Sequence, residues 1–139
     1  MPGHLIRRVY QVSTAMFAEE CGNLDLTPVQ YAALVATRAH PRVDATRLCA
    51  LIHFDRSTIG DVLDRLESKG WIVRRPSPKD RRVKLLSISA EGRRILEQVQ
   101  PAVRRVQVRL LEPLSLNDRK IMVRLLTRLA DVHKDILPG

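Results

Sequence analysis

Apolar residues recur along this chain with helical spacing over most of its length and with strand spacing in one place. Leu5, Ile6, Val9, Val12, Met16 and Phe17 fall mostly on one side of a helix over His4–Cys21, which Cys21-Gly22-Asn23 stops. Thr27-Pro28-Val29-Gln30 opens a second helix: Thr27 caps, Pro28 suits the first helical position, and Gln30 completes a capping box. That helix carries Tyr31, Leu34, Val35 and Arg38 and ends before Pro41, because the residue ahead of a proline is pushed out of the α region. Asp44 caps a third, shorter helix over Ala45–Leu51 with Leu48 and Ile52 inward, and Ile52-His53-Phe54 turns tightly into a fourth.

The fourth helix starts at Asp55, whose carboxylate accepts from the free amides of the first turn. Ile59, Val62, Leu63 and Leu66 make one apolar stripe, and Gly70 ends the helix where a left-handed residue costs least. Trp71–Arg75 and Val83–Ile88 read as two short strands, the second with Val83 and Leu85 inward and Lys84 outward, although Leu86 breaks the alternation. Pro76-Ser77-Pro78-Lys79-Asp80 between them is turn chemistry, too rich in proline for a paired strand. Ser89-Ala90-Glu91 caps a fifth helix reaching about Leu111, apolar at Ile95, Leu96, Val99, Val103 and Val106, in which Pro101 predicts a kink or a break. Ser115 and Asp118 open a sixth with a broad stripe of Ile121, Met122, Leu125, Leu126, Leu129 and Val132. The expected architecture is mainly α, six helices with a small β-hairpin, without repeats, low-complexity tracts or linkers.

A length of 139 residues is one domain's worth of chain. Within it, 24–88 reads as a DNA-binding unit, and 1–23 and 89–139 as flanking dimerisation helices, since two apolar terminal segments need a surface to cover them. The net charge of +9 argues for a polyanionic partner, though a merely solubilising surface gives the same number. No apolar run reaches membrane-spanning length and no secretory segment follows Met1, so the expected location is cytoplasmic, with no membrane partner.

Catalytic and metal chemistry are missing from the pattern. There is no Walker loop, Rossmann glycine pattern, nucleophile elbow or HExxH, so an enzyme is not expected, nor a cofactor. His4, His40, His53 and His133 are scattered without ligand spacing, which leaves His53 as a turn or DNA-backbone residue. Cys21 and Cys49 are too few and too unpatterned for a disulfide scaffold or zinc, and read as buried, reduced small hydrophobes. Asp61, Asp64 and Glu67 beside Arg65 and Lys69 read as surface pairing along the fourth helix.

The remaining chemistry is concentrated between Asp55 and Ile88. Opposite the apolar stripe stand Ser57, Thr58, Gly60, Asp61, Asp64, Arg65 and Ser68; short polar side chains near a helix start suit base edges in a major groove, and equally suit plain solvation. Around the hairpin turn stand Arg74, Arg75, Lys79, Arg81, Arg82 and Lys84, opposed only by Asp80. A ribbon that meets phosphate and minor groove needs that density of one sign, because cations there displace condensed counterions. Helix, glycine, strand, basic turn and strand make a winged helix, with Arg56, Ser57, Thr58, Asp61, Arg65, Lys79, Arg81 and Arg82 as the residues expected to touch double-stranded DNA.

At these residues the chain resembles the MarR (multiple antibiotic resistance regulator) family of bacterial transcription factors. The resemblance is carried by DRSTIGDVLDRLESKGWIVRRPSPKDRRVKLLSISAEGRRIL, above all by the D-R-L-E-x-K-G helix end and the D-R-R of the wing. It extends in outline over the chain, with LTPVQYAAL as the helix that supports the helix-turn-helix from behind. It implies a homodimer that binds an inverted-repeat operator, usually represses, and lets go when a small molecule binds. At Gly60 and Asp61 the family more often has a small polar residue followed by a basic one; here Asp61 either accepts from a cytosine amino group or restrains a neighbouring arginine.

In the family, effectors sit where the dimerisation helices meet the DNA-binding unit. That region supplies His4, Arg7, Arg8, Tyr10, Gln11, Tyr31 and Arg38 here, so the expected effector is an aromatic carboxylate or its coenzyme A thioester, as for similar regulators of aromatic-acid breakdown. The same arginines also suit pairing with acids such as Glu19 or Asp131. Some relatives sense peroxides through a cysteine early in the first helix, whereas Cys21 comes at its end. Three readings compete with a ligand-responsive repressor: a thiol redox-sensing regulator, a winged-helix protein–protein assembly module, and a nucleoid-type protein with little sequence preference.

Overall fold

Local side chains close most of the helix starts. In the computed structural model, which describes residues 1–136 and so leaves 137–139 of the 89–139 segment outside, α1 (Pro2–Cys21) alone of the α-helices lacks a side-chain cap; it begins two residues earlier than expected, on Pro2. For α2 (Pro28–Ala39), Thr27 Oγ1 accepts from the Gln30 amide at 3.2 Å while Gln30 Oε1 accepts from the Thr27 amide at 3.3 Å. Asp44 caps α3 (Ala45–Ile52) and Asp55 caps α4 (Arg56–Ser68). Ser89 and Ser115 accept from Gly92 and Asp118 to open α5 (Ala90–Leu111) and α6 (Leu116–Val132). Short 3-10 turns follow α1, at Gly22–Leu24, and α6, at Lys134–Ile136.

The hairpin expected from the sequence is part of a three-stranded antiparallel sheet. A two-residue β1 (Val43–Asp44) joins β2 (Ile72–Pro76) and β3 (Lys84–Ile88) in the order β1-β3-β2. The pairs Val43↔Leu86 and Arg74↔Leu86 fix the register on both sides of β3. This corrects the expected facing: Leu86 is buried, Leu85 is half-buried, and Val83 is exposed and lies before the strand. A one-residue shift of register exchanges the two faces of a strand, and the helices behind the sheet select the face that Leu86 shares with Ile88. Pro76 is also paired, opposite Lys84, rather than turned out of the sheet; β2 is an edge strand, where a residue without an amide proton is tolerated.

Of the kink or break expected at Pro101, the break does not occur: the helix runs through it. Pro101 and Glu97 are both exposed, so the carbonyl that loses its usual i+4 donor stands toward water.

One hydrophobic cluster joins all of this. Phe17 and Cys21 from α1, Leu34 from α2, Leu48 from α3, Ile59, Leu63 and Leu66 from α4, Ile72 and Leu86 from the sheet, and Leu96, Val99 and Val106 from α5 are among its buried members. Both cysteines are free and buried, and burial pushes both thiols up, away from the reactive thiolate. Two surfaces are left out of the core. The first twelve residues of the chain are all exposed, and no residue of α6 is buried, although both segments are rich in leucine, isoleucine and valine. Among the described residues no helix is long and apolar enough to cross a membrane.

The tightest backbone approach at any glycine lies at Gly92. A Cβ there would stand 2.2 Å from the Trp71 carbonyl oxygen and 2.8 Å from Ile88 Cγ1. At Gly60, on the outer face of α4, nothing lies within 4 Å. Gly92→Ala is expected to destabilise by about 1–3 kcal/mol through overpacking, whereas Gly60→Ala should stabilise by about 1 kcal/mol through helix propensity alone. Denaturant unfolding of both variants checks this, and an unchanged midpoint for Gly92→Ala would contradict the packing described.

Candidate nucleic-acid interface

Asp55 organises the start of α4. Its carboxylate accepts from the Ser57 amide at 3.0 Å and from the Ser57 hydroxyl at 2.8 Å, and these bonds hold it below the usual aspartate range. The Thr58 hydroxyl turns back to the Asp55 carbonyl at 3.4 Å, and Arg56 reaches the Thr46 hydroxyl on α3. Arg56 therefore bridges the two helices of the helix-turn-helix, while Ser57 and Thr58 keep acceptor lone pairs toward solvent. His53, at φ 53°, makes the left-handed turn between those helices.

All eight residues expected to touch DNA are exposed: Arg56, Ser57, Thr58, Asp61 and Arg65 on α4, and Lys79, Arg81 and Arg82 on the wing. Thr58, Asp61 and Arg65 follow one another at helical spacing on the side away from the buried Ile59, Leu63 and Leu66. On the wing, Asp80 accepts from the Arg82 amide and from both Nε and Nη2 of its guanidinium, at 3.1–3.2 Å. The Arg82 side chain is nonetheless 91% exposed, so this pairing aims the guanidinium without burying it.

The acids of α4 do not pair along their own helix as the sequence suggested. Asp64 and Glu67 both hold Arg74 of β2, and Lys69 instead reaches Asp25 and the buried Gln30 while lying over the Trp71 ring. Asp61 has no ion-pair partner among the described residues. The basic wing is thus one cation poorer than its sequence, because Arg74 is already engaged. Sequence reasoning missed this pairing because the partners lie seven and ten residues apart on different elements, beyond the reach of any helical spacing rule.

Within one subunit, the expected effector residues of α1 lie several turns along the helix from the point where Tyr31 meets it. The Tyr31 ring stands 6.2 Å from that of Phe17 near the end of α1. His4, Arg7 and Arg8 lie nine to thirteen residues earlier, about 14–20 Å along that helix, and Gln11 about 9 Å. Tyr10 and Arg38 are exposed and Tyr31 is half-buried. Glu19, the acid offered as an alternative partner for these arginines, is held by Arg109 instead, and Glu20 is held by Arg105 and Arg109. Arg7, Arg8 and Arg38 have no ion pair among the described residues.

This arrangement has close counterparts among known proteins. A model of the MarR family matches residues 24–83. The HTH-type transcriptional repressor NicR of Pseudomonas putida is 28% identical over 129 residues, 93% of this chain and 82% of that protein. The multiple antibiotic resistance protein MarR of Escherichia coli is 32% identical over 101 residues, 73% of this chain and 70% of that protein. A mutant of that protein complexed with operator DNA superposes with a TM-score of 0.85, at 29% identity over 91% of each chain. BpsR of Bordetella bronchiseptica, solved to explain the regulation of its DNA binding by 6-hydroxynicotinic acid, superposes with a TM-score of 0.89, at 27% identity over 94% of each chain.

The split between a wing of aimed cations and a helix face of hydroxyls and one free acid generates a prediction. Arg81→Ala or Arg82→Ala should weaken binding to every duplex and lower the salt dependence by about one ion. Ser57→Ala, Thr58→Ala or Arg65→Ala should instead change preference at particular base pairs, by about 1–3 kcal/mol wherever a well-formed hydrogen bond to a base edge is removed. Titrations at several salt concentrations on selected and scrambled duplexes separate the two classes, and wing variants that bind both duplexes normally would refute the assignment.

Proposed function

This chain belongs to the MarR family, and from that premise we propose that it is a cytoplasmic, homodimeric transcriptional repressor that an aromatic carboxylate or its coenzyme A thioester releases from operator DNA. The observation that carries the reading is the combination of a capped, exposed α4 face with an aimed basic wing on one small sheet. In this reading α4 enters a major groove through Ser57, Thr58, Asp61 and Arg65. Lys79, Arg81 and Arg82 take phosphate and the neighbouring minor groove, and Arg56 braces α4 against α3. An assembly module would not need that wing charge, and the buried, raised thiols argue against a peroxide sensor.

The exposed apolar faces of α1 and α6 support the dimer. In a two-fold dimer the half-sites of an inverted repeat lie about one DNA turn, roughly 10 bp, apart. Truncation after Leu111 removes α6 and is expected to abolish dimerisation and duplex binding together. The full chain sedimenting as a monomer at micromolar concentration would contradict the dimer.

For the effector, His4, Arg7, Arg8, Tyr10 and Gln11 of α1 and Tyr31 and Arg38 of α2 supply guanidinium forks for a carboxylate beside aromatic and apolar walls. Their separation within one subunit means that in this reading the dimer completes the site. 6-Hydroxynicotinic acid, named with BpsR, is itself an aromatic carboxylic acid. The ligand must favour the DNA-incompetent arrangement by about 1.4 kcal/mol for each tenfold loss of operator affinity. Benzoates, hydroxycinnamates and their thioesters, scored by thermal shift and by release of a bound duplex, are expected to include a ligand whose effect fades in Arg7→Ala, Arg8→Ala and Arg38→Ala. A response that these substitutions leave unchanged would remove this site.

A further inference from the structure

Arg74 occupies an unusual place in the wing. Its guanidinium forks onto Glu67, with Nε 3.2 Å from Oε2 and Nη2 2.9 Å from Oε1, and Nη2 also lies 2.6 Å from Asp64 Oδ1. The two carboxylates are neighbours on α4, one turn apart, and the arginine comes to them from β2, beyond the turn at Gly70. Its side chain is 25% exposed, in contrast with that of Arg82. The three bonds raise the guanidinium further above its already high range, and the two from Arg74 to Glu67 hold that carboxyl below the usual one.

A bidentate fork fixes direction as well as distance, which a single point charge does not. This one spans the two parts of the proposed DNA surface, α4 and the wing, close to where the ribbon leaves the body. Backbone neighbours in the sheet pair Arg74 with the buried Leu86, so the strand beneath the fork is itself anchored. The strand can therefore swing little without breaking the fork.

We propose that Arg74 is a positioning residue rather than a DNA ligand: its fork on Glu67 and Asp64 sets the angle between wing and α4, and with it the spacing of the phosphate-binding cations relative to the base-reading face. The inference rests on the repressor reading for its DNA consequence but not for the lock itself. It also inverts an electrostatic expectation. Glu67 is an exposed acid on the helix proposed to enter the groove, although to the side of its base-reading face, so Coulomb's law alone makes its neutralisation strengthen binding to a polyanion. If the lock sets the wing, neutralising Glu67 weakens binding instead.

The test uses the full chain and a duplex enriched from a randomised pool by the wild-type protein. Glu67→Gln keeps the shape and removes one partner of the fork; thermal melting checks that it folds. Its affinity is expected to fall about tenfold, the effect of losing a charge-assisted pair of about 1.4 kcal/mol, with an unchanged salt slope. Amide hydrogen exchange over β2 and β3, measured without DNA, should quicken. Arg74→Lys is expected to behave like Arg74→Ala, because an ammonium cannot fork. The proposal is overturned if Glu67→Gln binds as tightly as the wild type or more tightly. It is also overturned if Arg74→Ala lowers the salt slope by about one and lysine restores it, which is the signature of a phosphate ligand. A wild-type protein that enriches no duplex refutes the repressor reading, and unchanged exchange in Glu67→Gln refutes the lock independently.

Discussion

Both ends of the wing are held at one point, where the backbone of Trp71 meets the first turn of α5. The Trp71 amide donates to the Leu66 carbonyl at the end of α4, and its own carbonyl accepts from the Ser89 amide, each at 3.0 Å. The Ser89 hydroxyl donates to the Gly70 carbonyl at 2.6 Å while accepting from Gly92. Gly70, at φ 76°, lets the chain reverse there, and the missing Cβ of Gly92 lets the two backbones touch. The end of α4, the start of β2, the end of β3 and the start of α5 are thereby one rigid junction. Lys69 extends it to the first turn of α2 through Asp25, Gln30 and the Trp71 ring.

That junction gives the flanking helices mechanical access to the DNA-binding elements. α5 packs along α1 and begins at the junction, so a displacement of one against the other is passed to α4 and the wing as a body motion instead of being absorbed in a loop. The Glu19 and Glu20 pairs with Arg105 and Arg109 tie α1 to α5 at the end that also carries Phe17 and Cys21. Charge and packing thus agree about which parts are tied: α1 to α5 through these pairs, and α4 to the wing through the Arg74 fork.

How much of this was legible in the sequence depended on the range of each interaction. The caps at Thr27, Asp44, Asp55, Ser89 and Ser115 were legible because a cap is settled within three residues. The facing of β3 was not, since it is chosen by helices far away in sequence and by β1, whose two residues carry no alternation at all. Arg74 looked like one more wing cation because its sequence neighbours are basic, and nothing local betrays two carboxylates across a glycine turn. The scattered effector set shows the same limit: residues that share a helix in the sequence can stand several turns apart on it. At Pro101 the sequence left a break open that does not form, since the cost of a proline depends on which way the helix faces, and that is a tertiary fact.

The nakedness of α6 has a consequence for order itself. A helix of 17 residues without buried side chains is marginal in water, because the cost of nucleation is barely recovered by its own hydrogen bonds. Its Ser115 cap and its helix-forming leucines and arginines favour the folded form but do not secure it. Whatever surface covers Ile121, Leu125 and Leu129 therefore supplies a large part of the free energy that keeps α6 wound. In the proposed dimer, covering and winding become a single equilibrium, and dilution, which favours separation, acts on the chain as a local denaturant.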